Sequence, residues 1–187
     1  PGAGEHEGIR EMELTNEFTV PLPVDDAWML LTDLERIAPC MPGAQLQEVE
    51  GDDYRGVVKV KVGPIVAQYK GTARFLSQDS EARVAVLSAE GRETRGQGNA
   101  SATITASVTP AGHDSHVRVV TDLTVTGKVA QFGRSVLTDV SAKLLTQFVE
   151  RLEADLGSDS GERSEIDADQ SDDGEAQHSD SESVGPS

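Results

Sequence analysis

Residues 54–76 read YRGVVKVKVGPIVAQYKGTARFL. Tyr54, Gly56, Val58, Val60 and Val62 fall on one parity, and Arg55, Lys59 and Lys61 on the other, which is the two-residue period of a strand with one buried face. Gly63-Pro64-Ile65 interrupts the run before a second strand-like segment. The stretch therefore reads as a hairpin of two antiparallel strands, 54–62 and 66–76. A sheet made of such hairpins has to bury its apolar face against another element.

The same pattern extends outward on both sides. Strands are expected over 45–50, 83–90, 98–109 and 116–126, separated by the turns GDD, SQDSEA, GRETRGQ and PAGHDS. Upstream, MELTNEFTV (12–20) alternates and is stopped by Pro21-Leu22-Pro23. Asp25 is placed to cap a helix carrying Ala27, Trp28, Leu30 and Leu31, and Asp33 a second short helix through Ile37. That helix must end before Pro39, because the residue preceding proline disfavours helical backbone. Downstream, Val129, Phe132, Val136, Val140, Leu144, Phe148, Leu152 and Leu156 recur three or four apart, the stripe of a long amphipathic helix ended by Gly157. The expected fold class is α+β: a curved antiparallel seven-stranded sheet wrapped around a long C-terminal helix, with two short helices after the first strand and an apolar cavity between sheet and helix.

The chain has 187 residues and a formal net charge of −17, a length that fits one domain of 12–156 plus tails. Residues 157–187 hold ten acids against the single base Arg163, with Ile166 and Val184 as the only large aliphatics. Such a segment cannot offset the entropy of ordering itself, and a disordered acidic tail is expected. Residues 1–11 lack a period and read as a disordered leader or a cloning scar. The acidic balance opposes binding to nucleic acid, which needs a basic footprint. A single cysteine, Cys40, allows no internal disulfide and fits a reducing compartment. No apolar run approaches the ~20 residues of a membrane span, and no secretory signal is visible.

In a meander, successive turns alternate between the two ends of the sheet. One end collects the acidic and polar segments 50–53, 77–83 and 110–116. The other collects CMPG (40–43), VGPIV (62–66), GRETRGQG (91–98) and TGKVAQFG (126–133). This second end carries Arg92, Arg95, Lys128 and Arg134 against Glu93, with Met41, Pro42, Pro64, Ile65 and Val66 as apolar tips. Bases near an anionic bilayer contribute about 1 kcal/mol each, and apolar tips insert at the interface. The end is therefore expected to face an anionic membrane surface, or a partner, and to be the mouth of the cavity. Small inward residues, Ala67, Gly71, Ala73, Ala100, Ala102 and Ala106, leave room beneath the helix. The expected lining of a lipid-like ligand site is Val58, Val60, Val62, Tyr69, Phe75, Ile104, Val119, Leu123, Phe132, Val136 and Val140.

No catalytic set is visible. His113 and His116 share one turn and make a weak metal signal, and neither a glycine-rich phosphate loop nor metal-spaced cysteines occur. Alternation points Tyr69 inward as a packed residue and Asp122 outward into solvent. Cys40 and Met41, held between Pro39 and Pro42, read as soft apolar rim rather than as chemistry. No metal and no catalytic residue is expected.

Several of these motifs together resemble one family: Val24-Asp25-Asp26-Ala27-Trp28 with Leu31 and Asp33, Cys40-Met41-Pro42-Gly43, Tyr54 with Gly56, Lys59 through Ile65, Tyr69 with Gly71, and Gly127 through Gly133. They look like the carbon monoxide dehydrogenase G-subunit (CoxG) family of the START/Bet v 1-like (SRPBCC) helix-grip superfamily, over about 12–156. Gln147-Phe148-Val149 departs from the double phenylalanine common in that family. The resemblance implies a non-catalytic accessory of the aerobic molybdenum carbon monoxide dehydrogenase complex, cytoplasmic and peripheral on the inner face of the membrane. A quinone, menaquinone or ubiquinone, is the ligand the implied role calls for, because electrons from a soluble dehydrogenase must reach a water-insoluble pool. The alternatives are a docking adaptor without ligand, and a small-molecule cyclase or hydrolase of the same fold.

Overall fold

A computed structural model describes residues 8–157. The leader expected over residues 1–7 and the acidic tail expected beyond Gly157 lie outside the described residues. Seven strands, β1 (Ile9–Val20), β2 (Ala44–Glu50), β3 (Asp53–Val62), β4 (Ile65–Asp79), β5 (Val84–Glu93), β6 (Asn99–Ala111) and β7 (Asp114–Thr126), form one antiparallel sheet in the order β1-β7-β6-β5-β4-β3-β2. Strands β2 to β7 are the expected meander, and β1 adds beside β7. Strand β1 starts at Ile9 rather than Met12, because Ile9, Arg10 and Glu11 pair with Thr126, Val125 and Thr124. The leader reading of residues 9–11 is thereby corrected: ladder bonds join main chains, so a strand can run as far as its partner without a side-chain period.

The register lines up inward residues in rows across the sheet. Val58, Tyr69 and Glu93 form one row, and Gly56, Gly71, Gly91, Ala100 and Val125 form the next. Tyr54, Ala73, Ala89, Ala102, Leu123 and Met12 follow, then Phe75, Leu87, Ile104, Thr121 and Leu14. A Cβ at Gly56 would overlap the Gln45 carbonyl, and one at Gly71 the Glu90 carbonyl. Only glycine lets adjacent strands approach so closely, and this line of contact curves the sheet. Strand β2, on the sheet edge, shifts register between Leu46 and Glu48.

Helix α1 (Val24–Leu31) begins after Pro23 with no side-chain cap. Asp25, the expected cap, lies inside the first turn, where its carboxylate accepts from Arg83 Nε and a terminal guanidinium nitrogen at 3.2 and 2.8 Å. Asp33 does cap α2 (Leu34–Ile37), accepting from the Arg36 amide at 3.3 Å. A 3₁₀ turn, Ala38–Cys40, follows at Pro39. Helix α1 packs on β6 and β7, and the wholly buried Ser115 donates its hydroxyl to the Leu22 carbonyl at 2.7 Å.

The last helix, α3, spans 134–157 and starts later than Val129. Gly127, at φ 87°, turns the chain out of β7 into a 3₁₀ turn, Lys128–Gln131, and Phe132 is extended. The physical reason is burial: Val129 and Ala130 are 5% and 1% exposed and enter a closed cluster with Val62, Ala67, Val125 and Leu137. Along α3, Ser141 accepts from Asn16 Nδ2 at 2.9 Å, and Phe148 meets Phe18 edge-on with centroids 6.1 Å apart. The helix is thus anchored on β1. Burial follows: Leu14, Val20, Val108, Val117 and Val125 are buried, whereas Tyr54, Val58, Ala73, Phe75, Leu87 and Ala89, inward on β3 to β5, stay half-buried.

Candidate functional site

Eight of the expected lining residues, Val58, Val60, Val62, Tyr69, Phe75, Ile104, Val119 and Leu123, share the inward face of the sheet. They divide into two groups. Val62 is closed inside the cluster of Ala67, Val125, Val129, Ala130 and Leu137, and Val60, Tyr69, Leu123, Phe132, Val136 and Val140 pack against it. Phe132 sits over the β3–β4 turn, where a Cβ at Gly63 would lie 2.9 Å from its ring. Val58, Phe75, Ile104 and Val119 instead face the half-buried part of the concave surface. At the far end of β3 and β4 a groove of about 250 Å³ is lined by Asp52, Tyr54, Phe75, Ser77 and Gln78.

The turns sort to the two ends as parity requires. At the end holding the β3–β4 and β5–β6 turns, Arg92, Arg95, Lys128 and Arg134 are exposed, and none pairs with an acid among the described residues. Pro64 is exposed and Val66 is 60% exposed. Met41 is half-buried, and Ile65 turns against the closed cluster. Pro42 corrects its reading as an outward tip: it is buried, because Lys59 N donates to the Gly43 carbonyl at 2.9 Å and ties this corner to β3. Cys40 is 6% exposed.

Sequence reasoning passed over Glu93. It lies directly opposite Tyr69 in the register, on the same inward face, and is 7% exposed. A Cβ at Gly96 would lie 2.9 Å from its Oε1 and one at Gly98 2.9 Å from its Oε2, with Gly127 next to the same oxygen. The carboxylate thus rests in a cradle that three glycines leave open. The Tyr69 hydroxyl is buried without a hydrogen-bond partner. Burial, and then the charge of Glu93, push this phenol above its usual range. The pair can offer one donor and one acceptor to a polar group on the inward face. Asp122 is exposed, as alternation requires. His116 Nε2 lies 2.7 Å from Glu17 Oε1, and no cluster of metal-ligating side chains occurs among the described residues. No described helix is long and apolar enough to cross a membrane.

A family profile for the carbon monoxide dehydrogenase G-subunit (CoxG) matches residues 17–157. No curated protein matches the chain. Among solved structures, a conserved protein from Geobacillus kaustophilus superposes with a TM-score of 0.69 at 18% identity, covering 79% of this chain and 96% of its own. A protein from Thermus thermophilus gives 0.55 at 17% identity, covering 76% and 98%. An aromatase/cyclase from Streptomyces gives 0.54 at 13% identity, covering 78% and 93%. At these identities the likeness is one of fold, the Bet v 1-like helix-grip.

Proposed function

Because the chain belongs to the carbon monoxide dehydrogenase G-subunit (CoxG) family, we propose that it is a non-catalytic accessory of an aerobic molybdenum carbon monoxide dehydrogenase. In this reading it binds a membrane quinone on its apolar concave face and meets the inner surface of the cytoplasmic membrane through its basic end. The dehydrogenase recruited there would pass electrons to the quinone pool.

One observation carries the ligand half of this reading. The inward residues Val58, Phe75, Leu87 and Ile104 are apolar yet only half-buried, although they face the helix side of the sheet. Apolar area left in water forfeits about 25 cal/mol per Å², so a ligand that covers it is stabilised by the same term. The exposed, unpaired bases beside Val66 support the membrane half. A docking role without ligand is favoured by the closed cluster around Val62, and one experiment separates the two. Protein incubated with quinone-containing vesicles, re-isolated and extracted into organic solvent is expected to yield quinone by mass spectrometry. Vesicle binding with no quinone recovered would leave only the docking role.

A further inference from the structure

The inward face carries a polar pair whose chemistry is asymmetric. Tyr69 and Glu93 are cross-strand neighbours in the row beside the glycine line. Glu93 is more than nine-tenths buried, and the Tyr69 hydroxyl is buried and unpartnered. No hydrogen bond or ion pair holds the Glu93 carboxylate among the described residues; its oxygens face the hydrogen-only sides of Gly96, Gly98 and Gly127. A buried hydroxyl such as that of Tyr69 is ordinarily satisfied, and leaving it unsatisfied is costly. A phenol can donate or accept, whereas a carboxylate accepts only.

Resting on the quinone-carrier reading, we infer that Tyr69 and Glu93 form the head-group site and that it distinguishes the reduced from the oxidised ring. A hydroquinone hydroxyl can donate to the Glu93 carboxylate while its oxygen accepts from the Tyr69 hydroxyl, so the buried phenol gains the partner it lacks and the carboxylate gains a donor. A quinone carbonyl can accept from Tyr69 but has no proton for Glu93, and its partial negative charge faces the carboxylate. The reduced form is therefore bound more tightly. The protein carries out no electron transfer in this step; only hydrogen bonds form.

A hydrogen bond to a charged group, set against its absence in a buried site, corresponds to a preference of about tenfold or more. The test titrates wild-type protein anaerobically with short-chain, water-soluble benzoquinones and naphthoquinones, oxidised and chemically reduced, with binding read by quenching of Trp28 fluorescence or by calorimetry. The expected result is tighter binding of the reduced forms. Glu93→Gln, whose amide can donate to a carbonyl, is expected to abolish or reverse the preference. Tyr69→Phe is expected to weaken both forms severalfold and leave the preference in place. Equal affinity of wild type for the two forms would overturn the inference while leaving the carrier reading intact, whether or not Glu93→Gln folds. Failure of wild type to bind either form would remove the carrier reading and the inference with it. A preference that survives Glu93→Gln in folded protein, or recovery of a chemically altered ligand, would also overturn the assignment, the latter in favour of acid–base chemistry.

Discussion

The two ends of the sheet treat their charges differently. At the end holding the β2–β3 and β4–β5 turns, bases meet acids: Arg55 with Glu48 and Glu50, Arg74 with Asp53, and Arg83 with Asp25. The Arg55 guanidinium is held above its ordinary range, chiefly by the charge of Glu50. At the opposite end Arg92, Arg95, Lys128 and Arg134 stand in solvent without such partners among the described residues, and the neighbouring acid, Glu93, is turned inside. The first end pairs its bases and keeps an excess of exposed acids, among them Asp26, Asp52, Asp79, Glu81 and Asp114. The second leaves its bases exposed and without ion pairs among the described residues, which supports the membrane-facing role proposed for it.

The strongest way to break this contrast is to reverse all four free bases to glutamate. At about 1 kcal/mol per base, binding to vesicles containing anionic lipid is expected to fall roughly a thousandfold at low salt. The melting temperature should hardly move, because no described ion pair is lost; unchanged sedimentation with vesicles would end the membrane reading. Next in size is Leu137→Ala, which hollows the closed cluster beneath the basic end. Its expected cost is about 2–4 kcal/mol in denaturant unfolding, and a loss below about 1 kcal/mol would mean that the end is open inside. Ser115→Ala, at the acid-rich end, removes the buried donor to the Leu22 carbonyl and should cost about 1–3 kcal/mol. Arg83→Ala is expected to cost no more than about 1 kcal/mol, since Asp25 is 81% exposed.

A pH experiment sharpens the contrast from within. Tyr69 is raised above 10.0 in the folded protein, so the unfolded chain releases this proton first as the solution becomes alkaline. The contribution is fully present below pH 10.0 and is lost as pH rises through the folded value. Tyr69→Phe should flatten that loss in alkaline melts. Glu93→Gln should move the phenolate absorbance transition downward, because the carboxylate's charge is one of the two causes of the shift.

Alternation made the sheet legible: Val58, Val60 and Val62 against Lys59 and Lys61 set the inward face, and turn parity set the two ends. The Asp33 cap and the stop before Pro39 were legible for the same local reasons. What escaped was tertiary. Glu93 reads as a polar turn residue in GRETRGQG until β5 is known to run to it; then its parity with Ala85, Leu87 and Ala89 turns it inward. The offset helix start escaped because Val129 and Phe132 fit the helical period, while the buried cluster claims them for a different backbone. Asp25 could cap α1 by type, but Arg83, distant in sequence, supplies its partner.

The register shift in β2 bears on a different property, colloidal behaviour. An open sheet leaves an unpaired strand edge that invites pairing with another copy. On β2 the shift between Leu46 and Glu48 breaks the regular row of main-chain groups, and Glu48 and Glu50 keep charge along it, held by Arg55. Both features work against strand-to-strand stacking with another copy at that edge.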